Sequence, residues 1–286
     1  MRIEYYTNAV SFAQETQPFL LQHEVENCIV LGLIGGMPIN PFTLTTLPLL
    51  ALARAEGQVN GVVLQIPPRN LLLTVMEAGT ARQFARALFA DRIQLPGIMG
   101  PLQTAEAFAE AWCAASGMRT EISMRERVFA LNEVIPPRPP SGHFRWAQAE
   151  DRETVIDWGM AEEREALHVA EPDRAQFEGW ADRMIQHSER RGLGFWEDGG
   201  QGVSFAAYGN PTPHGIRIAP VYTPPEVRGR GYASACVAAL SQCLLDSGRQ
   251  QCYLYTDLAN PTSNKIYQAI GYRPVGDAIE MQFLQP

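Results

Sequence analysis

Lysine is almost missing from this chain. Lys265 is the single one among 23 basic residues, set against 31 acidic ones, for a formal net charge of −8. That balance argues against nucleic acid as the main partner. Long hydrophobic runs are missing too. No stretch of eighteen apolar residues exists, so no helical membrane span and no membrane partner is expected. The most apolar segment, Cys28 to Met37, is short and interrupted by glycine, and reads as buried core. The opening Met1-Arg-Ile-Glu-Tyr-Tyr lacks the basic flank and apolar centre of a secretory signal. Cysteine is sparse: Cys28, Cys113, Cys236, Cys243 and Cys252 are odd in number and contain no Cys-x-x-Cys pair. No disulfide framework follows, and each reads as a small buried hydrophobe in a reduced, cytoplasmic protein. The histidines (His23, His143, His168, His187, His214) show no ligand spacing with cysteine or with each other, so no metal is implied.

What is present is an ordinary globular composition, 46% apolar and 19% charged over 286 residues, with room for one large or two medium domains. The clearest boundary is Ile135-Pro-Pro-Arg-Pro-Pro-Ser-Gly142. Its prolines can continue neither a helix nor a central strand. The chain is therefore divided into residues 1–134, a linker at 135–142, and residues 143–286. Residues 1–140 hold 10 basic and 12 acidic side chains, a net of −2, and residues 141–286 hold 13 and 19, a net of −6. That acidity serves solubility or attracts a cationic amine.

The second part alternates strands and helices. His143–Ala147 reads as a strand, with Asp151 as cap of a helix from Arg152 through Trp158. Pro172–Arg190 is helical, with Phe177, Trp180, Met184 and His187 at helical spacing. A hairpin joins Gly194–Trp196 to Val203–Tyr208 around Glu197-Asp-Gly-Gly200. Then come a strand at Ile216–Tyr222, a helix from Ser234 ended by Gly248, a strand at Cys252–Tyr255, a helix at Ser263–Ala269 stopped by Gly271, and a strand at Ala278–Leu284. This is a mixed-sheet α/β pattern.

Between the Ile216–Tyr222 strand and the Ser234 helix lies Pro224-Pro-Glu-Val-Arg228-Gly229-Arg230-Gly231-Tyr232-Ala233. Strand, glycine turn and helix in that order set free N–H groups at a helix N-terminus, where the macrodipole also favours negative charge. Gly229 and Gly231 allow close approach to the main chain, and Arg228 and Arg230 add donors suited to phosphate oxygens. The expectation is a pyrophosphate cradle.

Arg228-x-x-Gly231-x-Ala233 resembles the acyl-CoA signature of the GNAT superfamily of N-acetyltransferases. The later block Asn260-Pro-Thr-Ser-Asn-Lys-Ile-Tyr267-Gln-Ala-Ile-Gly271-Tyr272 is similar to that family's Asn-x6-Tyr-x3-Gly-[Phe/Tyr] element. The resemblance implies a tandem GNAT-like α/β protein of bacterial type, with the cradle in residues 143–286. It implies transfer of acetyl from acetyl-CoA, the cosubstrate, to a primary amine on a small molecule or peptide. Attack is direct, in a ternary complex. It assigns the backbone of Val221, Tyr222 and Thr223 to the pantetheine and the thioester carbonyl. Gly229 to Ser234, including Tyr232 and Ala233, fall to the pyrophosphate. Thr223 stands where the family often has valine.

The resemblance gives Asn260 a hydrogen bond to the pantetheine arm, although asparagine ahead of Pro261 is also a good helix cap. Asn264, one turn on, is a further candidate. Tyr267 is assigned to protonate the leaving thiolate, a transfer for which a phenol suits a thiol. A packing tyrosine between Ile266 and Ile270 is the alternative. No general base is assigned, because the strand before the cradle holds Arg217 and Ile218 where some family members carry glutamate. Glu162, Glu163 and Glu165, expected just after the first helix, are either an amine site or a solvated face. Tyr208, Tyr255 and Asp257 are further candidates. The missing strand carboxylate also suits an alternative, a non-catalytic acyl-CoA binding or sensing protein. The acceptor and the oligomeric state stay open.

In the first part, Val59–Ile66 and Leu71–Thr74 read as strands, Ala78–Ala90 and Gln103–Ser116 as helices, and Met118–Leu131 as strands. This resembles the degenerate GNAT-like domain that precedes the catalytic one in some members. Pro67-Pro-Arg-Asn70 is expected where a cradle would stand, with no acyl-CoA bound there. Gly32-Leu-Ile-Gly35-Gly36 lacks the spacing of a nucleotide loop and reads as a turn.

Overall fold

A computed structural model of the chain describes residues 1–37, 47–166 and 168–285. It forms two compact units. The first combines Met1–Phe129, Tyr255–Asn260 and Pro274–Pro286, and the second combines Ala130–Leu254 and Pro261–Arg273. The last strand of the chain thus belongs with the first unit.

The element series begins with β1 (Arg2–Tyr6), α1 (Ala9–Leu20), α2 (Cys28–Gly36), β2 (Leu49–Ala55), β3 (Gln58–Gln65) and β4 (Leu71–Leu73). It continues with α3 (Ala78–Ala90), β5 (Gly97–Pro101), α4 (Leu102–Ser116) and β6 (Arg119–Leu131). The same order of strands and helices then repeats. Its first members are β7 (His143–Trp146), α5 (Arg152–Ala166), α6 (Arg174–Ile185), β8 (Gly192–Asp198), β9 (Gln201–Gly209) and β10 (Gly215–Tyr222). The repeat closes with α7 (Tyr232–Asp246), β11 (Gln251–Asp257), α8 (Pro261–Ala269) and β12 (Arg273–Leu284). Both series are mixed. β4 pairs parallel with β5 and β10 parallel with β11, while β1–β2, β2–β3, β3–β4, β7–β8, β8–β9 and β9–β10 are antiparallel.

In the first unit, β12 pairs antiparallel with β5, from Ala278↔Pro101 to Gln282↔Gly97. Ile279, Met281 and Phe283 join the core built by Phe84, Phe108 and Trp112, and Phe283 stacks on Trp112 with ring centroids 5.5 Å apart. In the second unit, Phe195 and Phe205 are fully buried under α5 and α6, and Trp158 stacks on Phe205 at 6.0 Å. Each such buried ring contributes about 1.5–3 kcal/mol.

Several sequence expectations shift. The glycine run at Gly32–Gly36 is part of α2 rather than a turn, because Val30, Leu31, Gly32 and Ile34 bury together. Burial there overrides the low helix propensity of glycine. α1 went unforeseen; Asn8 caps it by accepting from the N–H groups of Val10 and Ser11. Residues Arg119–Leu131 form one strand rather than several. α5 runs on to Ala166, so Glu162, Glu163 and Glu165 lie inside the helix rather than after it. Asp151 ends a 3-10 turn before α5, accepting from the Gln148 N–H and pairing with Arg145. Asp173, not Pro172, opens α6, and His187 lies beyond that helix with φ +37°, stacked on Trp146.

Candidate active site

The site is built where β10 leaves β11. The two strands pair in parallel only at Gly215↔Gln251, Ile216↔Cys252 and Arg217↔Tyr253. β10 continues to Tyr222 along β9, with one extra residue between Ile218 and Val221. From Ile218 onward the side of β10 that faced β11 carries no ladder bond among the described residues. Unpaired strand backbone of this kind is ready to accept an extended ligand.

Val221, Tyr222 and Thr223 lie on this free end. Val221 and Thr223 are half-buried and Tyr222 is buried. Ser204 of β9 donates to the Tyr222 carbonyl at 3.1 Å, and its hydroxyl lies 2.8 Å from that of Thr223. Threonine at 223 therefore has a local reason: its hydroxyl completes this pair.

The chain next forms a 3-10 turn, Pro225–Val227, and enters α7 through two glycines in left-handed conformations, Gly229 at φ +78° and Gly231 at φ +86°. A Cβ added at either would meet nothing within 4 Å, so both face open space. Gly231 occupies the N-cap with no side-chain cap, and the first α7 bond runs from the Ala235 N–H to the Gly231 carbonyl at 3.0 Å. The N–H groups of Tyr232, Ala233 and Ser234 precede that bond and point out of the helix start. The side chain of Tyr232 turns away to donate to Asp198. That bond, reinforced by Ser141 and by the charge of Arg230, holds the Asp198 carboxyl below its usual range.

Arg228 is not a free phosphate donor. Its guanidinium donates to the Thr223 carbonyl at 2.8 Å and to Glu165 at 2.6 Å, and lies over the Tyr222 ring at 5.7 Å. Tyr222 donates to the other oxygen of Glu165 at 3.1 Å. The last turn of α5 is thereby tied to the end of β10. Arg230 is exposed.

Asn260 directly precedes α8, is exposed, and donates its N–H to the Asp257 carbonyl at 3.0 Å; it belongs to the first unit. Asn264 and Tyr267 lie on α8 in the second unit, both half-buried. Tyr267 sits edge-on to Tyr272 with centroids 6.0 Å apart. Burial, and then the charge of Glu162, raise the Tyr267 phenol well above its ordinary value.

Three base candidates are engaged elsewhere. Tyr208 donates to the Ser188 carbonyl and meets His187 Nδ1 at 2.7 Å. Tyr255 donates to the Glu26 carbonyl at 3.0 Å, and the Asp257 carboxylate accepts from the Ala259 N–H at 2.8 Å. Glu162 is different. It is half-buried, and its carboxyl is pushed up to about 7 by burial, with Arg217 opposing and Glu163 and Glu165 adding to the rise. The signal for it lay in the helical period. Glu162 follows Val155, Trp158 and Gly159 at spacings of seven, four and three, on the buried stripe of α5.

In the first unit the turn matching the cradle is residues 74–77, between β4 and α3, and not Pro67–Asn70, which joins β3 to β4. Two of its N–H groups are already used: Val75 donates to Asn27 at 3.0 Å and Met76 to Thr104 at 3.4 Å. Glu77 stands at the N-cap of α3. A carboxylate there repels phosphate.

No group of three or more His, Cys, Asp or Glu that could hold a metal occurs among the described residues, and no helix among them is long and apolar enough to cross a membrane.

Residues 146–272 match the acetyltransferase (GNAT) family model. No curated protein matches the chain. Among solved structures, a GCN5-related N-acetyltransferase from Sphaerobacter thermophilus is 16% identical with a TM-score of 0.63, covering 99% of this chain and 96% of its own. A GNAT-family acetyltransferase from Colwellia psychrerythraea gives 11% and 0.62, covering 99% of each chain. A tandem GNAT protein from the clavulanic acid biosynthesis pathway gives 12% and 0.57, covering 100% of this chain and 99% of its own. At these identities the structures establish the fold alone. The split of β10 from β11 and the open glycine turn fall within the part of the chain, residues 146–272, that matches the GNAT acetyltransferase family.

Proposed function

We propose that the protein is an acetyl-CoA-dependent N-acetyltransferase acting on a primary amine by direct attack in a ternary complex. The observation that carries this reading is the free end of β10 running into an α7 N-terminus whose two left-handed glycines face open space. The N–H groups of Gly229 to Ser234 hold the pyrophosphate, and the backbone of Val221 to Thr223 holds the pantetheine and the thioester carbonyl. Asn260 and Asn264 are assigned to the pantetheine arm. Arg230 adds charge at the rim; Arg228 reaches a phosphate only by exchanging its bond to Glu165.

Tyr267 protonates the leaving sulfur. A phenol keeps its proton at neutral pH, which an acid requires. No cysteine stands in either motif block, consistent with transfer that has no acyl-enzyme. The catalytic part is assigned to residues 143–286 and the linker to 135–142. Residues 1–134 hold the degenerate domain, whose turn at residues 74–77 offers no cradle.

The test is calorimetric titration with acetyl-CoA followed by thiol release on adding primary amines. One molecule bound per chain and amine-dependent release are expected. Binding without release for any amine favours the acyl-CoA sensing alternative, and no binding overturns both.

A further inference from the structure

The three glutamates near the end of α5 have different surroundings. Glu165 is held by Tyr222 and Arg228. That tie fixes the last turn of α5 against the end of β10, and Glu162, three residues earlier, points to the same side. Among the described residues no hydrogen bond or contact ion pair holds Glu162. Its interaction partners are charges at longer range: Arg217 of β10, Tyr267 of α8, and Glu163 and Glu165 of its own helix. β8 and β9 meet α5 with the apolar Phe195 and Phe205, and α6 presents Arg174 and Asp182, which pair with Glu153, Asp157 and Arg152 toward the opposite end of the helix.

We infer that Glu162 is the general base that takes the proton from the attacking amine, with Arg217 as its charge partner and Tyr267 as the acid across the same site. This rests on the transferase reading above and names the group which that reading leaves unassigned. It does not need a carboxylate on β10. The base comes from the helix that β10 packs against, and the strand supplies the compensating cation at Arg217. A carboxyl that titrates near 7 is poised for this task at neutral pH.

The proton count closes. The ammonium gives one proton to the Glu162 carboxylate. The freed nitrogen lone pair forms the C–N bond to the thioester carbonyl carbon, and the C–S bond then breaks with its electron pair on sulfur. Tyr267 protonates that sulfur, and the second proton leaving nitrogen restores the phenol. Glu162 releases its proton to solvent, so one proton appears per acetyl transferred.

The experiment compares wild type, Glu162→Gln and Glu162→Asp, full length, with acetyl-CoA and with spermidine, L-lysine and a lysine-containing peptide as amine probes. Glu162→Gln is expected to lower kcat by roughly 10²–10⁴-fold. Its acetyl-CoA affinity by calorimetry is expected to stay within about threefold of wild type. The acidic limb of kcat/KM, centred near pH 7 in wild type, is lost in Glu162→Gln and kept in Glu162→Asp. An infrared pH titration should also show one protonated carboxyl band disappearing through the same range in wild type and absent from Glu162→Gln. A wild-type chain that turns over while Glu162→Gln matches its rate, or keeps its acidic limb, overturns the role of Glu162 alone. A wild-type chain that binds acetyl-CoA and acetylates none of the amines overturns the transferase reading, and this role with it.

Discussion

Gly231→Ala separates the cradle from ordinary backbone strain. Gly231 sits at φ +86°, where an L-residue costs about 1–2 kcal/mol relative to its preferred conformations. The new methyl meets no protein atom within 4 Å, so steric repulsion adds nothing to that cost in the free protein. Bound acetyl-CoA changes the account, because the open space beside the first turn of α7 is the proposed pyrophosphate site. Displacing the phosphate from a single N–H loses a charge-assisted bond of about 1.5–3 kcal/mol, or about 10- to 100-fold in Kd. Gly248 is the control. It lies just past the other end of α7 at φ +98°, also with nothing within 4 Å of an added Cβ. Both alanine variants should lose about 1–2 kcal/mol in urea unfolding. Only Gly231→Ala should lose acetyl-CoA affinity by calorimetry, by about tenfold or more. Equal affinities in the two variants would refute the cradle.

Tyr267→Phe should lower kcat by about 10²-fold or more with little change in acetyl-CoA affinity; an unchanged rate removes the phenol from the chemistry. Glu165→Gln frees Arg228, and acetyl-CoA affinity should rise by about 2- to 5-fold at low salt; because the pair is half-exposed, stability should change by less than about 1 kcal/mol. A weaker affinity would mean that Glu165 instead holds Arg228 in its binding position. Glu162 makes a stability prediction of its own. Its carboxyl is raised from 4.5 to about 7, so the folded chain holds a proton that the unfolded chain loses between those values. Stability should therefore fall as pH rises through that window, by at most about 3 kcal/mol, and level off above it. Glu162→Gln should lack that component in urea melts at pH 4.5 and 8. A fragment of residues 143–286 should aggregate, because it carries Ile279, Met281 and Phe283 without β5 and the Trp112 core; a soluble monomer with native-like melting would refute this.

The turn between β10 and α7 was legible because its chemistry is local. Pro224-Pro225 ends β10, and Gly229 and Gly231 supply the left-handed turns that any such entry to α7 needs. Hairpin β8–β9 was legible for the same reason, through Gly199 and Gly200. α2 was not, because its glycines signal a turn locally and only burial of Val30, Leu31 and Ile34 makes the segment a helix. The end of α5 was hidden because Glu162, Glu163 and Glu165 look like a solvated face until their register with Val155 and Trp158 is counted. The engagement of Arg228 by Glu165 spans 63 residues, and nothing in either local sequence announces it.

The pairing of β12 with β5 sets an order of events during synthesis. The strand at Gly97–Pro101 leaves the ribosome long before its partner at Ala278–Gln282 exists, a gap of about 180 residues. At ordinary elongation rates that is a wait of about 10–35 seconds. For that interval one edge of β5 is bare, and the core around Phe84 and Trp112 lacks Ile279, Met281 and Phe283. The nascent first half therefore waits with part of its core uncovered, and its folding is completed only after residues 146–272 have been made.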